Sequence, residues 1–166
     1  MLIAGQWVDS ENGETAEILN PANGQVIATT PKATVADVER CVAASRNAFN
    51  NPEWKNIDPA QRGRILNKMA AATYANAKSL AVLESTNNGK TFREALSEIR
   101  FGAWTLEYFA GLADKNEGST IPVPGNRLNY TLRQPLGVTA HIIPWNFPLQ
   151  LAIRSIAPAL AWVTKI

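Results

Sequence analysis

Residues 135–160 commit the chain to an α/β architecture. An apolar run from Pro135 to Ile143 is followed by Pro144-Trp145-Asn146-Phe147-Pro148 and then by an apolar helical pattern from Leu149 to Leu160. This order reads as strand, tight turn, helix, and Val138–Ile143 is the best candidate in the chain for a buried strand. A buried parallel strand needs neighbours supplied by further βα units, and none follow. On physical grounds the chain reads as the first part of a larger protein. In open α/β sheets ligands bind beyond the carboxyl ends of the strands, so the one polar side chain at the junction, Asn146, stands where chemistry is usually done. The same asparagine could equally serve as a helix N-cap. The two readings stay open at this level.

The preceding residues are read as short strands followed by helices. Gly5–Val8 is a strand fragment, Asn20–Gly24 a turn, and Val26–Thr30 a β-branched strand. Thr34, with Asp37 three residues on, predicts a helix over about 35–50 whose buried face carries Val35, Val38, Val42 and Phe49. Asp58-Pro59 starts one long helix or two abutting ones over about 59–86, stopped by Asn87-Asn88-Gly89. Phe92, Ala95, Leu96, Ile99, Ala103, Leu106 and Ala110 predict a helix over about 91–113. Ser119–Pro124 reads as an edge strand because of its two prolines, and Leu128–Arg133 as a half-buried strand paired with it. Such a hairpin is not stable alone.

Charge and composition exclude several classes. The 16 basic and 14 acidic residues are balanced and unclustered, which argues against nucleic acid or a membrane surface as partner. The most apolar segment, Leu149–Val163, is broken by Arg154, Ser155 and Pro158 and is too short to span a bilayer. No signal peptide is evident at the N-terminus. The single cysteine, Cys41, suits a reducing compartment, and a cytoplasmic location is expected.

Few side chains stand out as chemical. Cys41 lies on a predicted amphipathic helix with no base near it in sequence, and reads as structural. His141, the only histidine, alternates with apolar neighbours and lacks a partner at metal-ligand spacing. It reads as packed or cofactor-facing, and no metal site is expected. Glu94 and Glu98, with Arg93, Arg100 and Glu107 nearby, read as a solvated helix face. Trp7, Trp54, Trp104 and Trp162 read as core or interface residues. No G-x-G-x-x-G fingerprint occurs.

Ordered motifs then add a family resemblance. Ile3–Trp7, Asn20–Gly24, Leu83–Lys90, Tyr108–Gly111, Arg133–Val138, Pro144–Pro148 and Ala157–Leu160 occur in the order and at the spacing of the NAD(P)-dependent aldehyde dehydrogenase superfamily. The chain resembles the N-terminal part of that superfamily over roughly residues 2–161. The resemblance implies three parts. Residues 1–118 form the N-terminal part of the cofactor-binding domain, 119–136 an oligomerisation hairpin, and 137–166 the first βα unit of a Rossmann-like domain. It also implies a reaction in which a cysteine thiolate attacks an aldehyde and a hydride passes to NAD or NADP, with hydrolysis to a carboxylic acid afterwards. Asn146 matches the amide that stabilises the oxyanion. Ile142, Ile143, Pro144 and Trp145 match positions flanking the cofactor, and Trp145 and Phe147 match walls of the aldehyde tunnel. Partners implied are a small-molecule aldehyde and further copies of the subunit, joined through the hairpin.

Departures from the family pattern shape the expectation. The family's nucleophile and glutamate base lie further downstream and are absent, so this chain by itself is expected to be inactive. Lys165 arrives too early to take the role of the ribose-binding lysine, and the ending reads as a truncation, a frameshift or an altered splice. Ser155 replaces a frequent lysine. Asn87 stands where many relatives carry an aspartate near a monovalent-cation site. Two alternatives are a non-catalytic oligomerisation module and one piece of a split enzyme.

Overall fold

In the computed structural model, residues 1–162 are described. Lys165 and the end of the expected third part therefore lie outside the described residues. The N-terminus forms two small antiparallel pairs. β1 (Leu2–Ile3) pairs with β2 (Gln6–Trp7), and β3 (Thr15–Leu19) pairs with β4 (Val26–Pro31), with a register irregularity between Ile18 and Leu19. The strand fragment expected at Gly5–Val8 is thus half of a tight hairpin turning through Ala4 and Gly5.

Helix α1 (Val35–Asn50) begins with the capping box expected of Thr34 and Asp37. Its apolar stripe does not form a core face: Val35, Val38 and Val42 are exposed. Asp37 is the buried residue of this helix. Its carboxylate accepts hydrogen bonds from the Thr34 and Glu11 amides at 3.0 and 3.2 Å and pairs with Arg40 at 3.2 Å. The amide bond from Thr34, more than any other influence, holds the Asp37 pKa below the usual aspartate value. A group depressed in this way contributes stability above its unfolded pKa and loses it as pH falls through the folded one. The melting temperature is therefore expected to drop as pH is lowered from about 4 toward the lowered Asp37 value. Asp37→Asn should flatten that part of a calorimetric pH series. An unchanged acid limb in the variant would refute the assignment.

A short helix α2 (Pro52–Lys55) leads to α3 (Pro59–Ala75), capped by Asp58 with proline at its first position. α3 and α4 (Ala77–Asn88) abut at Asn76, which decides between one long helix and two. α4 ends on Gly89 at φ +84°, the left-handed conformation that glycine supplies at a helix stop. A Cβ there would also meet Pro21 Cγ at 2.9 Å.

Helix α5 (Phe92–Leu112) is the central element, capped reciprocally by Thr91 and Glu94. It packs on α3 and on α6 (Pro148–Ala161) through Leu66, Ala70, Leu106, Ala110, Ile153 and Ala157, and on α4 through Ala77, Ala81, Ala95 and Ile99. Leu149, at the start of α6, touches both clusters. The close approach of α3 to α5 depends on Gly63, where a Cβ would lie 2.6 Å from the Ala110 carbonyl oxygen. Buried Arg62 donates to the Ala161 carbonyl at 3.2 Å and so ties α3 to the end of α6. Its burial pushes the guanidinium pKa down.

Two sequence expectations fail in the β-rich part. Among the described residues, Val138–Ile143 is extended but belongs to no sheet, because no described strand lies beside it to offer the ladder that a parallel strand requires. The hairpin over 119–136 is reduced to one bridge, Thr120 with Tyr130, supported by Ile121 N–H to the Asn129 carbonyl at 2.8 Å and Thr131 N–H to the Ser119 carbonyl at 2.9 Å. Pro122 and Pro124 remove donors from one arm. Leu128, Tyr130 and Leu132 are all exposed, so the arm expected to be half-buried has no surface to bury against.

Candidate functional site

The turn ahead of α6 brings the six candidate residues into one exposed strip. Ile142 is 98% exposed and Trp145 78%, Pro144, Asn146 and Phe147 are exposed, and Ile143 is half-buried. Asn146 is not the cap of α6. Phe147 occupies that position and no side chain caps the helix, which removes the capping reading. Pro148 at the first helical position needs no cap for a donor it lacks. Among the described residues, the Asn146 side-chain amide has no hydrogen-bond partner and faces solvent beside the positive end of the α6 dipole.

The main chain of this turn is tethered to the corner between α4 and α5. Asn88 Nδ2 donates to the Trp145 carbonyl at 2.8 Å, and Lys90 Nζ donates to the Asn146 carbonyl at 2.7 Å. The same ammonium sits 4.6 Å from the Phe147 ring centroid, within cation–π range. Lys90 also pairs with Glu84 Oε1 at 2.8 Å and with Glu98 Oε2. The side chains of Glu84, Lys90 and Glu98 are 5%, 11% and 15% exposed. Burial raises the Glu84 pKa despite the bond from Lys90. For Lys90, burial alone would lower the pKa, but its bonds to the two glutamates outweigh this and the pKa is raised.

This cluster was hidden in the sequence. Glu98, read as part of a solvated face, points instead into the α4–α5 corner, while its neighbour Glu94 caps α5. The available signal was Gly89: a helix stop there turns Lys90 back toward Glu84 and toward the next helix. The other candidates are not drawn in. His141 is exposed, with its ring 2.9 Å from Thr139 Oγ1, and Cys41 is half-buried on α1. Trp7 and Trp104, read as core or interface residues, are exposed in this chain. A separate groove of about 1050 Å³ lies among Phe49, Trp54, Leu136, Val138, His141 and Ile156, and none of the six candidate residues lines it.

These helices, small antiparallel pairs and extended segment form a mixed α/β structure that matches the N-terminal portion of the aldehyde dehydrogenase fold. The structure of a putative aldehyde dehydrogenase from Burkholderia cenocepacia is similar, with a TM-score of 0.93 and 39% identity over 96% of this chain and 33% of the other. A betaine aldehyde dehydrogenase point mutant from Staphylococcus aureus, solved in complex with NAD+, gives a TM-score of 0.91 at 38% identity, covering 96% of this chain and 32% of that one. In sequence, the hydroxyisobutyraldehyde dehydrogenase of Mycolicibacterium austroafricanum is 42% identical over 161 residues, 97% of this chain and 32% of the relative. A sequence model of the aldehyde dehydrogenase family matches residues 7–164. The chain belongs to the aldehyde dehydrogenase family. It spans 18–33% of the length of the relatives it matches. Among the described residues, no helix is long and apolar enough to cross a membrane.

Proposed function

We propose that this chain is the N-terminal part of an NAD(P)-dependent aldehyde dehydrogenase that converts an aldehyde to a carboxylic acid, and that Asn146 supplies its oxyanion-binding amide. The observation that carries this reading is the unpartnered Asn146 amide on a tethered turn at an uncapped helix start. A carbonyl oxygen placed there gains negative charge on nucleophilic attack. A fixed N–H donor next to a helix N-terminus stabilises that charge more than it stabilises the uncharged aldehyde. Trp145 and Phe147, on either side of Asn146, supply apolar walls that hold the aldehyde carbon chain and keep water from the reacting carbonyl.

The residues present also suit a dinucleotide. Ile142 and Trp145 expose apolar surface, and Ile143 and Pro144 lie between them in sequence. The free amides of the first α6 turn favour an anionic group. When bound, NAD or NADP supplies the hydride acceptor. We assign the nucleophilic thiolate and the base to residues beyond this chain; Cys41 lies half-buried on α1, away from the strip 142–147 in sequence.

We read residues 1–118 as the N-terminal part of the cofactor-binding domain, 119–136 as the oligomerisation hairpin and 137–166 as the first βα unit. The exposed Leu128, Tyr130 and Leu132 support a homo-oligomeric contact through 119–136. The lone cysteine fits a cytoplasmic location.

The purified 166-residue chain should form no NAD(P)H from aldehydes with either cofactor, while the complete protein should form it. NAD(P)H absorbance checks both statements. Turnover by the short chain, or failure of the complete protein with aliphatic and aromatic aldehydes alike, would overturn the reading.

A further inference from the structure

The segment that carries Asn146 has little to hold it. Among the described residues, 138–143 join no sheet, and Phe147 caps α6 without a side-chain bond. Among the described residues, only two hydrogen bonds reach 142–147 from outside the segment and its own helix, those of Asn88 and Lys90. Three consecutive residues are therefore gripped from one short turn: Trp145 by Asn88, and Asn146 and Phe147 by Lys90.

Lys90 has no spare donor. An ammonium offers three N–H groups, and they go to Glu84, Glu98 and the Asn146 carbonyl. Two carboxylates around one ammonium exceed what a single ion pair needs. They fix the ammonium from two helices, so that its third N–H points in one direction. The turn that presents Lys90 is itself set by Gly89 at positive φ and closed by Ser85 Oγ donating to the Lys90 carbonyl at 2.5 Å.

We propose that Lys90, clamped by Glu84 and Glu98, is a positioning residue that fixes the Asn146 main chain and through it the direction of the Asn146 amide. The proposal rests on the oxyanion reading of Asn146. The three N–H groups of Lys90 are all used within the protein. Lys90 acts by holding the backbone that carries the donor, where a displacement of about 1 Å is enough to lose much of the effect on rate.

Lys90→Met alone would leave two buried carboxylates unpaired. The decisive variant is therefore Lys90→Met with Glu84→Gln and Glu98→Gln, which removes the charges together with the anchor. In the 166-residue chain, backbone ¹⁵N order parameters at 145–147 should fall from about 0.85 to below about 0.6 in this triple variant, with those of α5 unchanged. In the complete enzyme the triple variant should lower kcat at least about tenfold and leave KM within a few-fold. Combined with Asn146→Ala it should cost nothing beyond Asn146→Ala alone, because both changes remove one effect.

A turn that stays ordered in the triple variant refutes the proposal. So does disorder spreading through α5, an unchanged kcat, or a loss that adds to that of Asn146→Ala. A turn that loosens as expected in a protein whose wild type oxidises no aldehyde would instead refute the functional reading, with the anchor itself demonstrated.

Discussion

Asn146→Ala in the complete enzyme is expected to lower kcat about 10²–10³-fold, or about 2.7–4 kcal/mol, which is the usual loss for one oxyanion-hole donor. Among the described residues the Asn146 amide is exposed and without a partner, so its removal frees no buried group and opens no cavity. α6 is capped by Phe147 and starts on proline, so the helix does not depend on it either. The melting temperature should thus reflect a change within about 0.5 kcal/mol, as for a surface substitution. KM should stay within a few-fold, because the interaction strengthens only as charge develops on the oxygen. Asn146→Asp should be at least as damaging, since a carboxylate offers no donor and repels an oxyanion. Steady-state kinetics and thermal denaturation on the same preparations test both halves. A fall in kcat accompanied by a comparable loss of stability would mean that Asn146 is structural.

Local signals were read correctly wherever the local sequence decides the outcome. The Thr34 capping box, Asp58-Pro59 and Gly89 act through residues within a few positions of themselves, and the helix boundaries follow them closely. Two apolar patterns, by contrast, do not form the buried faces expected of them. Among the described residues, Val138–Ile143 has a strand's composition but joins no sheet, and Val35, Val38 and Val42 form a helical stripe that stays exposed. The candidate strip 142–147 was legible because it lies in one contiguous motif. The Glu84–Lys90–Glu98 clamp was not, because its members come from α4, the turn and α5, and charged residues at those spacings are indistinguishable from a solvated face until the helices are docked.

Leu106→Ala is expected to destabilise the chain by about 2–5 kcal/mol, the range for truncating a fully buried leucine. Leu106 is 1% exposed on α5, in the cluster that also holds Leu66 and Ala70 of α3 and Ile153 and Ala157 of α6. The neighbours on this face are mostly alanines, whose methyl groups cannot swing into the space left behind. Nor can the helices readily close up, since α3 and α5 already meet at the distance that Gly63 allows against the Ala110 carbonyl. The upper half of the range is therefore the better expectation. A domain of this size has only about 5–15 kcal/mol of stability in total, so the variant should show a marked fall in the urea midpoint. The slope should stay unchanged if the unfolding remains two-state. α6 should be affected along with α3 and α5, because Ile153, Ala157 and Ala161 pack into this cluster and Ala161 accepts from Arg62. The turn at Asn146 should loosen with it, because it is the N-terminal lead of α6. A loss below about 1 kcal/mol would show that the three helices do not share one core.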